Sequence, residues 1–315
     1  MSIEDQVARI REQLSKVIFG QDEVIDLVLA ALFSCGHVLL EGPPGVAKTF
    51  LVRSIAAALD LRYRRIQMTP DLLPGDVTGT SIYREDTRTF EYRPGPIFGN
   101  FVLADEINRA SARTQSALLE AMQELQVTYD GVTHELPRPF VLFATQNPIE
   151  QEGTYPLPLA QLDRFMFKVN VGYPPAADER RILATHHATA GLAMPERTQI
   201  STVMGPDDII AARQLIRETF VREEVIDYAQ RLLQATRDDD ALAVGASPRS
   251  GLMLLTGAKS LARFRGRDYV TPDDIKEAFL PSMRHRVVLS PSTELEGATT
   301  DEVLAQVLEL VEVPR

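Results

Sequence analysis

With 315 residues the chain is long enough for two packed units, because single hydrophobic cores stop growing near roughly 250–300 residues. Its 44% hydrophobic and 24% charged residues describe an ordinary globular chain with a normal core to bury. A net charge of -11 argues against nucleic acid as a broad, non-specific partner, and the single cysteine, Cys35, excludes an intrachain disulfide.

In chain order, residues 1–16 read as an amphipathic helix with Ile10, Leu14 and Val17 at helical spacing, lacking the apolar core of a signal peptide. The most apolar run, 24–33, is interrupted by Asp26 and falls short of the roughly 18 residues a membrane span needs, so no membrane span and a soluble, cytoplasmic protein are expected. Cys35 closes an apolar stretch and reads as a small buried residue. Residues 37–41 form a short strand that runs through a glycine-containing turn into a helix marked by Leu51, Ile55 and Leu59. Further strands are expected at 63–69, 101–105, 139–145 and 165–171; continuous apolar runs such as FVLAD and PFVLFAT suit parallel strands covered on both faces. A helix over 111–125 has Ser111 as its N-cap. Strands alternating with helices imply a doubly wound, parallel five-stranded αβα core. Two segments interrupt the alternation and read as projecting hairpins, one at 71–95 and one at 126–136 with Asp130-Gly131 at its tip.

After Val171 no further strand pair is evident and the rest reads as helices, with a loop between Gly191 and Gly205. Val225, Tyr228, Ala229, Leu232 and Leu233 share one helical face, Ser247-Pro248 and Thr271-Pro272 look like N-caps followed by proline, and a last helix carries Val303, Leu304 and Val307. The expected division is a nucleotide-binding core with its N-terminal helix over 1–172 and an all-helical lid over 173–315.

Gly42-Pro43-Pro44-Gly45-Val46-Ala47-Lys48-Thr49 carries the strongest chemical signal. A phosphate chain needs inward-turned backbone N–H groups, a helix N-terminus, an ammonium and a hydroxyl for Mg²⁺. Glycines 42 and 45 let such a loop wrap, Lys48 would reach the β- and γ-phosphates, and Thr49 would ligate Mg²⁺. Ala47 replaces the usual second glycine, the smallest possible change. An apolar strand then delivers two carboxylates, Asp105 and Glu106, which suits a magnesium site and a water-polarising base. Asn147, after the strand ending in Thr145, could orient water, although Asn-Pro is also a common turn opener. Arg164 is a candidate for catalysis or simply a salt-bridge partner of Asp163. Arg249 places a cation at the second position of a helix, where the helix field disfavours it, and so suggests an external anion.

The order of these motifs resembles the AAA+ ATPases. GPPGVAKT, DLLPGDVTG, ADEINRA, FATQNPIEQEGTYPLP and QLDRF together are similar to the MoxR family, over almost the whole chain and including Ala47. The resemblance implies ATP and Mg²⁺ as cofactors. It implies Asp105 and Glu106 as the Walker B pair and Asn147 as sensor 1. Arg164 becomes the finger acting on a neighbouring subunit and Arg249 sensor 2. Gly20 and Gln21, in Ile18-Phe19-Gly20-Gln21, fall in the segment that lines the adenine pocket. Leu159 stands where the family has an acidic residue, at a subunit contact. The resemblance also implies a ring-shaped homo-oligomer, usually a hexamer. The two hairpins correspond to inserts facing the pore or a bound partner. The implied role is chaperone-like remodelling of partner proteins, often ones with a von Willebrand factor A domain.

The alternative is a motor of the same fold in a metal-chelatase or nucleic-acid-remodelling complex. Arg62, Arg64 and Arg65, and Arg263, Arg265 and Arg267, would then be phosphate contacts; with few interleaved aromatics, both clusters read instead as solvated faces. An ATP-binding switch or scaffold that hydrolyses slowly would have no need of Glu106 as a base. None of His37, His134, His186, His187 and His285 has the spacing of a zinc-binding helix.

Overall fold

The computed structural model describes residues 2–148, 153–188 and 199–314. The centre of FATQNPIEQEGTYPLP, at 149–152, and most of the loop expected from Gly191 lie outside them.

Helices α1 (Ile3–Leu14) and α2 (Asp22–Phe33) precede strand β1 (Val38–Glu41) and helix α3 (Lys48–Ala58). Strand β2 (Tyr63–Gln67) leads to the short helix α4 (Pro74–Thr78) and the hairpin β3 (Gly79–Arg84) and β4 (Thr89–Pro94). Next come β5 (Phe101–Asp105), α5 (Ala112–Glu124), the hairpin β6 (Gln126–Tyr129) and β7 (Val132–Glu135), then β8 (Val141–Gln146). The short α6 (Leu159–Leu162) precedes β9 (Phe167–Asn170). The remainder is α7 (Ala176–Ala188), α8 (Pro206–Arg217), α9 (Glu223–Asp238), β10 (Leu242–Val244), α10 (Pro248–Phe264), α11 (Pro272–Met283), β11 (Val288–Leu289), α12 (Pro291–Leu295) and α13 (Thr300–Leu310).

The main sheet runs β2-β5-β8-β1-β9 with every pair parallel. Successive strand side chains point to opposite faces, and here they enter two separate cores. Val38 and Leu40, Phe101 and Leu103, and Val141 and Phe143 pack into one, shared with α1 to α3 and the C-terminal helices. Leu39, Val102, Ala104, Leu142 and Ala144 pack into the other, against α5 and the bases of the hairpins. Double coverage explains why these strands are continuously apolar.

The Asp130-Gly131 tip takes left-handed backbone at both positions (φ 49° and 75°), as a tight two-residue hairpin turn requires. The hairpins do not project independently: Tyr92 of β4 stacks on His134 of β7 with ring centroids 4.1 Å apart. Ser111 caps α5 and Ser247 caps α10 through their side-chain oxygens.

Four readings are corrected. Cys35 is exposed, because it takes the left-handed conformation (φ 57°) that ends α2 while the Gly36 amide bonds back to Ala31 O at 2.7 Å. The C-terminal half contains a short antiparallel pair, β10 with β11, too brief to show a two-residue period. Arg265 and Arg267 are not a solvated face: both pair with the fully buried Asp274 at 2.7 Å, and Arg263 donates to Thr219. Arg65 also leaves its expected face and enters the site described next.

Candidate nucleotide site

The carboxyl ends of β1, β5 and β8 open onto a cleft of ≈ 430 Å³, the position where doubly wound sheets bind ligands. The loop after β1 supplies Pro44, Gly45, Val46, Ala47, Lys48 and Thr49 to its wall; Asp105 and Glu106 come from β5, and Asn147 from just past β8.

The loop's shape follows from a few residues. Gly42 lies so close to the end of β9 that a Cβ there would stand 2.1 Å from Val171 O, so only glycine fits. Gly45 needs glycine for its backbone, at φ 85°. Ala47 adopts φ 61°, ψ 27°, the left-handed region usually given to glycine, directly before α3. That helix has no side-chain cap, which leaves its first amides facing the cleft for an anion. The Lys48 ammonium folds over the loop and donates to Gly42 O (2.6 Å) and Pro43 O (2.9 Å). Burial pushes it below the ordinary lysine range, opposed by Asp105, Glu106 and Glu41.

Thr145 organises the acidic pair. Its hydroxyl donates to Asp105 Oδ1 (2.6 Å) and accepts from the Glu106 amide (2.8 Å), so one buried side chain of β8 fixes both residues at the end of β5. Thr49 donates to Asp105 Oδ2 at 3.1 Å. A threonine hydroxyl and a carboxylate this close form an all-oxygen donor set, which fits a hard cation such as Mg²⁺. Glu106 stands at φ 59°, ψ 53°, and its carboxylate accepts from Gln67 Nε2 (3.1 Å) and Arg109 Nη1 (3.1 Å).

Other expected site residues lie outside the cleft wall. Gln21 donates to Val46 O at 3.3 Å, and Gly20 (φ 69°) packs against Pro175 and Asp178, so this segment ties the phosphate loop to the start of α7. Phe19 lies under the Arg181 guanidinium, 4.4 Å from ring centroid to Cζ. Arg249 is the second residue of α10 and faces Asp163 at 3.6 Å. Asp163 is not paired with Arg164: its carboxylate accepts from Arg286 Nε at 2.7 Å. Arg164 makes no ion pair among the described residues, and neither it nor Arg249 reaches the cleft wall.

Gln67, Arg109 and Thr145 were not singled out by sequence reasoning, and Arg65 was read as part of a solvated face. The signal available was positional. Arg65 and Gln67 alternate on one face at the carboxyl end of β2, in register with Leu103 and Asp105.

A five-stranded parallel sheet, a phosphate-loop helix after β1 and paired acids at the end of β5, with β8 between the two strands, define an ATPase of the AAA+ class. The family model described as "ATPase family associated with various cellular activities (AAA)" matches residues 37–167, and the AAA lid domain matches 234–307. YeaC of Bacillus subtilis is 44% identical over 303 residues, covering 96% of this chain and 93% of that one. Chaperone MoxR1 of Mycobacterium tuberculosis is 44% identical over 312 residues, covering 96% and 81%. Protein MoxR of Methylorubrum extorquens is 32% identical, covering 98% and 96%. The crystal structure of a candidate ATPase from Cytophaga hutchinsonii superposes with a TM-score of 0.91 at 39% identity, over 99% of this chain and 96% of that one. The chain belongs to the MoxR family of AAA+ ATPases.

Proposed function

We propose that the protein assembles into a homo-oligomeric ring, hexameric by resemblance to its family, and hydrolyses ATP between subunits to remodel partner proteins. The observation that carries this reading is a division of labour. Lys48, Thr49, Asp105, Glu106 and Asn147 line one cleft, while Arg164 lies outside it with no ion pair among the described residues. An arginine so placed gains a catalytic task when a second copy brings its own cleft alongside.

In this reading residues 1–172 form the nucleotide core and 173–315 the lid. The amides at the start of α3 and Lys48 bind the phosphates, and Gly20 and Gln21 border the base. Glu106 takes the proton of the attacking water, Asn147 orients that water, and ATP and water yield ADP and phosphate. Thr49 and Asp105 would hold Mg²⁺, which when bound supplies positive charge to the phosphate oxygens. Arg249 trades its contact with Asp163 for the γ-phosphate and so couples nucleotide state to the lid. The hairpins β3–β4 and β6–β7 would then move against a client, for which von Willebrand factor A domain proteins are the family's suggestion. A cytoplasmic setting rests on the same resemblance.

The test is specific ATPase activity against protein concentration, for the wild type and Arg164→Ala, with nucleotide affinity measured in parallel. The expected result is activity that rises with concentration in the wild type and stays flat, at least tenfold lower, in a variant that still binds ATP. Equal rates at every concentration would overturn the shared site.

A further inference from the structure

Arg65 has no part in the reading above, yet its ion pair with Asp105 is shorter than that of Arg109 with Glu106, the other acid of the cleft. Its Nε and Nη2 donate to Asp105 Oδ2 at 2.9 and 2.6 Å, and Nη2 also reaches Gln67 Oε1 at 2.5 Å. The oxygen it holds is the same one that accepts from the Thr49 hydroxyl. The other carboxylate oxygen is taken by Thr145, 1% exposed and fixed in the sheet. Asp105 therefore has a permanent neighbour on its inner oxygen and a cation on the oxygen that faces the metal-holding side.

We propose that Arg65 is a built-in competitor of the divalent cation: its guanidinium neutralises Asp105 and must be displaced when Mg²⁺ binds between Thr49 and Asp105. Three observations favour displacement over a fixed pair. First, a carboxylate as enclosed as Asp105 needs a counter-charge, which Arg65 supplies. Second, the Arg65 side chain is 48% exposed, against 10% for Asp105, so the guanidinium can return to water at little cost while Asp105 stays in place. The contrast within the same protein is Arg286, whose side chain is 1% exposed and which donates to a carboxylate and several carbonyls, the pattern of a permanent clamp. Third, a divalent cation held beside Thr49 and Asp105, directly or through water, would be repelled by a guanidinium on Asp105 Oδ2, so occupancy by one lowers occupancy by the other. Arg65 would thus set the Mg²⁺ concentration at which nucleotide binds tightly.

The inference rests on Thr49 and Asp105 holding the metal, and the experiment separates the two claims. Binding of a fluorescent ADP to the full chain is titrated with Mg²⁺ and, separately, measured in chelator, for wild type, Arg65→Ala, Arg65→Gln, Arg65→Lys and Asp105→Asn. Removing the guanidinium should lower the Mg²⁺ midpoint about three- to tenfold, the weight of a half-exposed ion pair close to a second cation, with Arg65→Lys between these variants and wild type. Affinity in chelator should stay within about twofold, since no phosphate contact is assigned to Arg65. A midpoint that is unchanged or higher in Arg65→Ala and Arg65→Gln would overturn the proposal and make Arg65 a support of the site. If Arg65→Ala does not fold, Arg65→Gln and Arg65→Lys carry the same test. If Asp105→Asn leaves the Mg²⁺ dependence intact, the metal site itself is misassigned and the competition falls with it.

Discussion

His37 shows how strongly one buried residue can be committed. It stands just ahead of β1, and its Nδ1 accepts the Leu142 amide at 3.0 Å, which fills the place of a missing strand contact. Burial, and then Arg213, depress its pKa to about 3. An unfolded histidine titrates near 6.5, so above that pH the neutral ring costs nothing; as pH falls from about 6.5 towards 3 the unfolded chain takes up a proton that the folded chain refuses. Stability should therefore drop by up to about 1.4 kcal/mol per pH unit across that window from this group. His285, depressed in the same direction by burial and then by Arg286, adds to it. His37→Asn keeps an acceptor in reach of the Leu142 amide and cannot protonate there. Its melting temperature is expected to fall less steeply than the wild type's between pH 6 and pH 4; parallel curves would show that His37 is not a source of the acid sensitivity. Glu106 is committed differently, by a backbone in the left-handed region at a cost of about 1–3 kcal/mol, a strain placed at the carboxylate proposed to polarise the attacking water.

At the scale of elements, α11 depends on one carboxylate. Asp274 accepts from the Thr271 amide (2.9 Å) and hydroxyl (2.8 Å), from Arg265 (2.7 Å) and twice from Arg267 (2.7 Å each). Burial alone would raise its pKa, but hydrogen bonds from Arg267 and Thr271 more than offset that and leave it below the usual carboxylate range. Asp274→Ala removes the helix cap and the counter-charge of two arginines together, and should cost about 2–4 kcal/mol. A thermal midpoint within a degree of the wild type's would contradict this. Legibility in the sequence divides along the same lines. Elements with a long period or a turn signature, such as α5, the Asp130-Gly131 hairpin and the apolar strands, could be read directly. So could Lys48, Thr49, Asp105 and Glu106, because their chemistry requires fixed spacing along the chain. Arg65, Gln67 and Thr145 could not, since each meets Asp105 or Glu106 only through strand register, which sequence separation hides. Arg265 and Arg267 were misread for the same reason: their partner is a buried aspartate on the next helix, and a run of arginines looks solvated until that partner is known.

At the scale of the whole molecule, Arg286 joins the C-terminal helices to the sheet. Its guanidinium donates to Asp163 Oδ1, to the carbonyls of Asp163, Phe165 and Met166, and to Ser282 O. The same Asp163 faces Arg249, and Arg164 is the next residue, so one guanidinium holds the segment that carries Arg164 and meets Arg249. Arg286→Met preserves volume but strands several acceptors, a change expected to cost about 3–5 kcal/mol. Hydrogen exchange should then quicken in β9 and α11 while β5 and β8 remain protected; uniform protection would mean that packing alone docks the helices. Besides contacting Met166 O, Arg286 acts together with Arg284, which donates to Lys168 O at 3.4 Å. Both carbonyls are backbone groups, one just ahead of β9 and one within it, so the C-terminal helices are fastened to the main chain of that strand. An anchor on carbonyl oxygens does not depend on which side chains β9 carries, because every residue type presents the same acceptor. Substitutions along β9 should therefore loosen the C-terminal helices less than loss of Arg286 does.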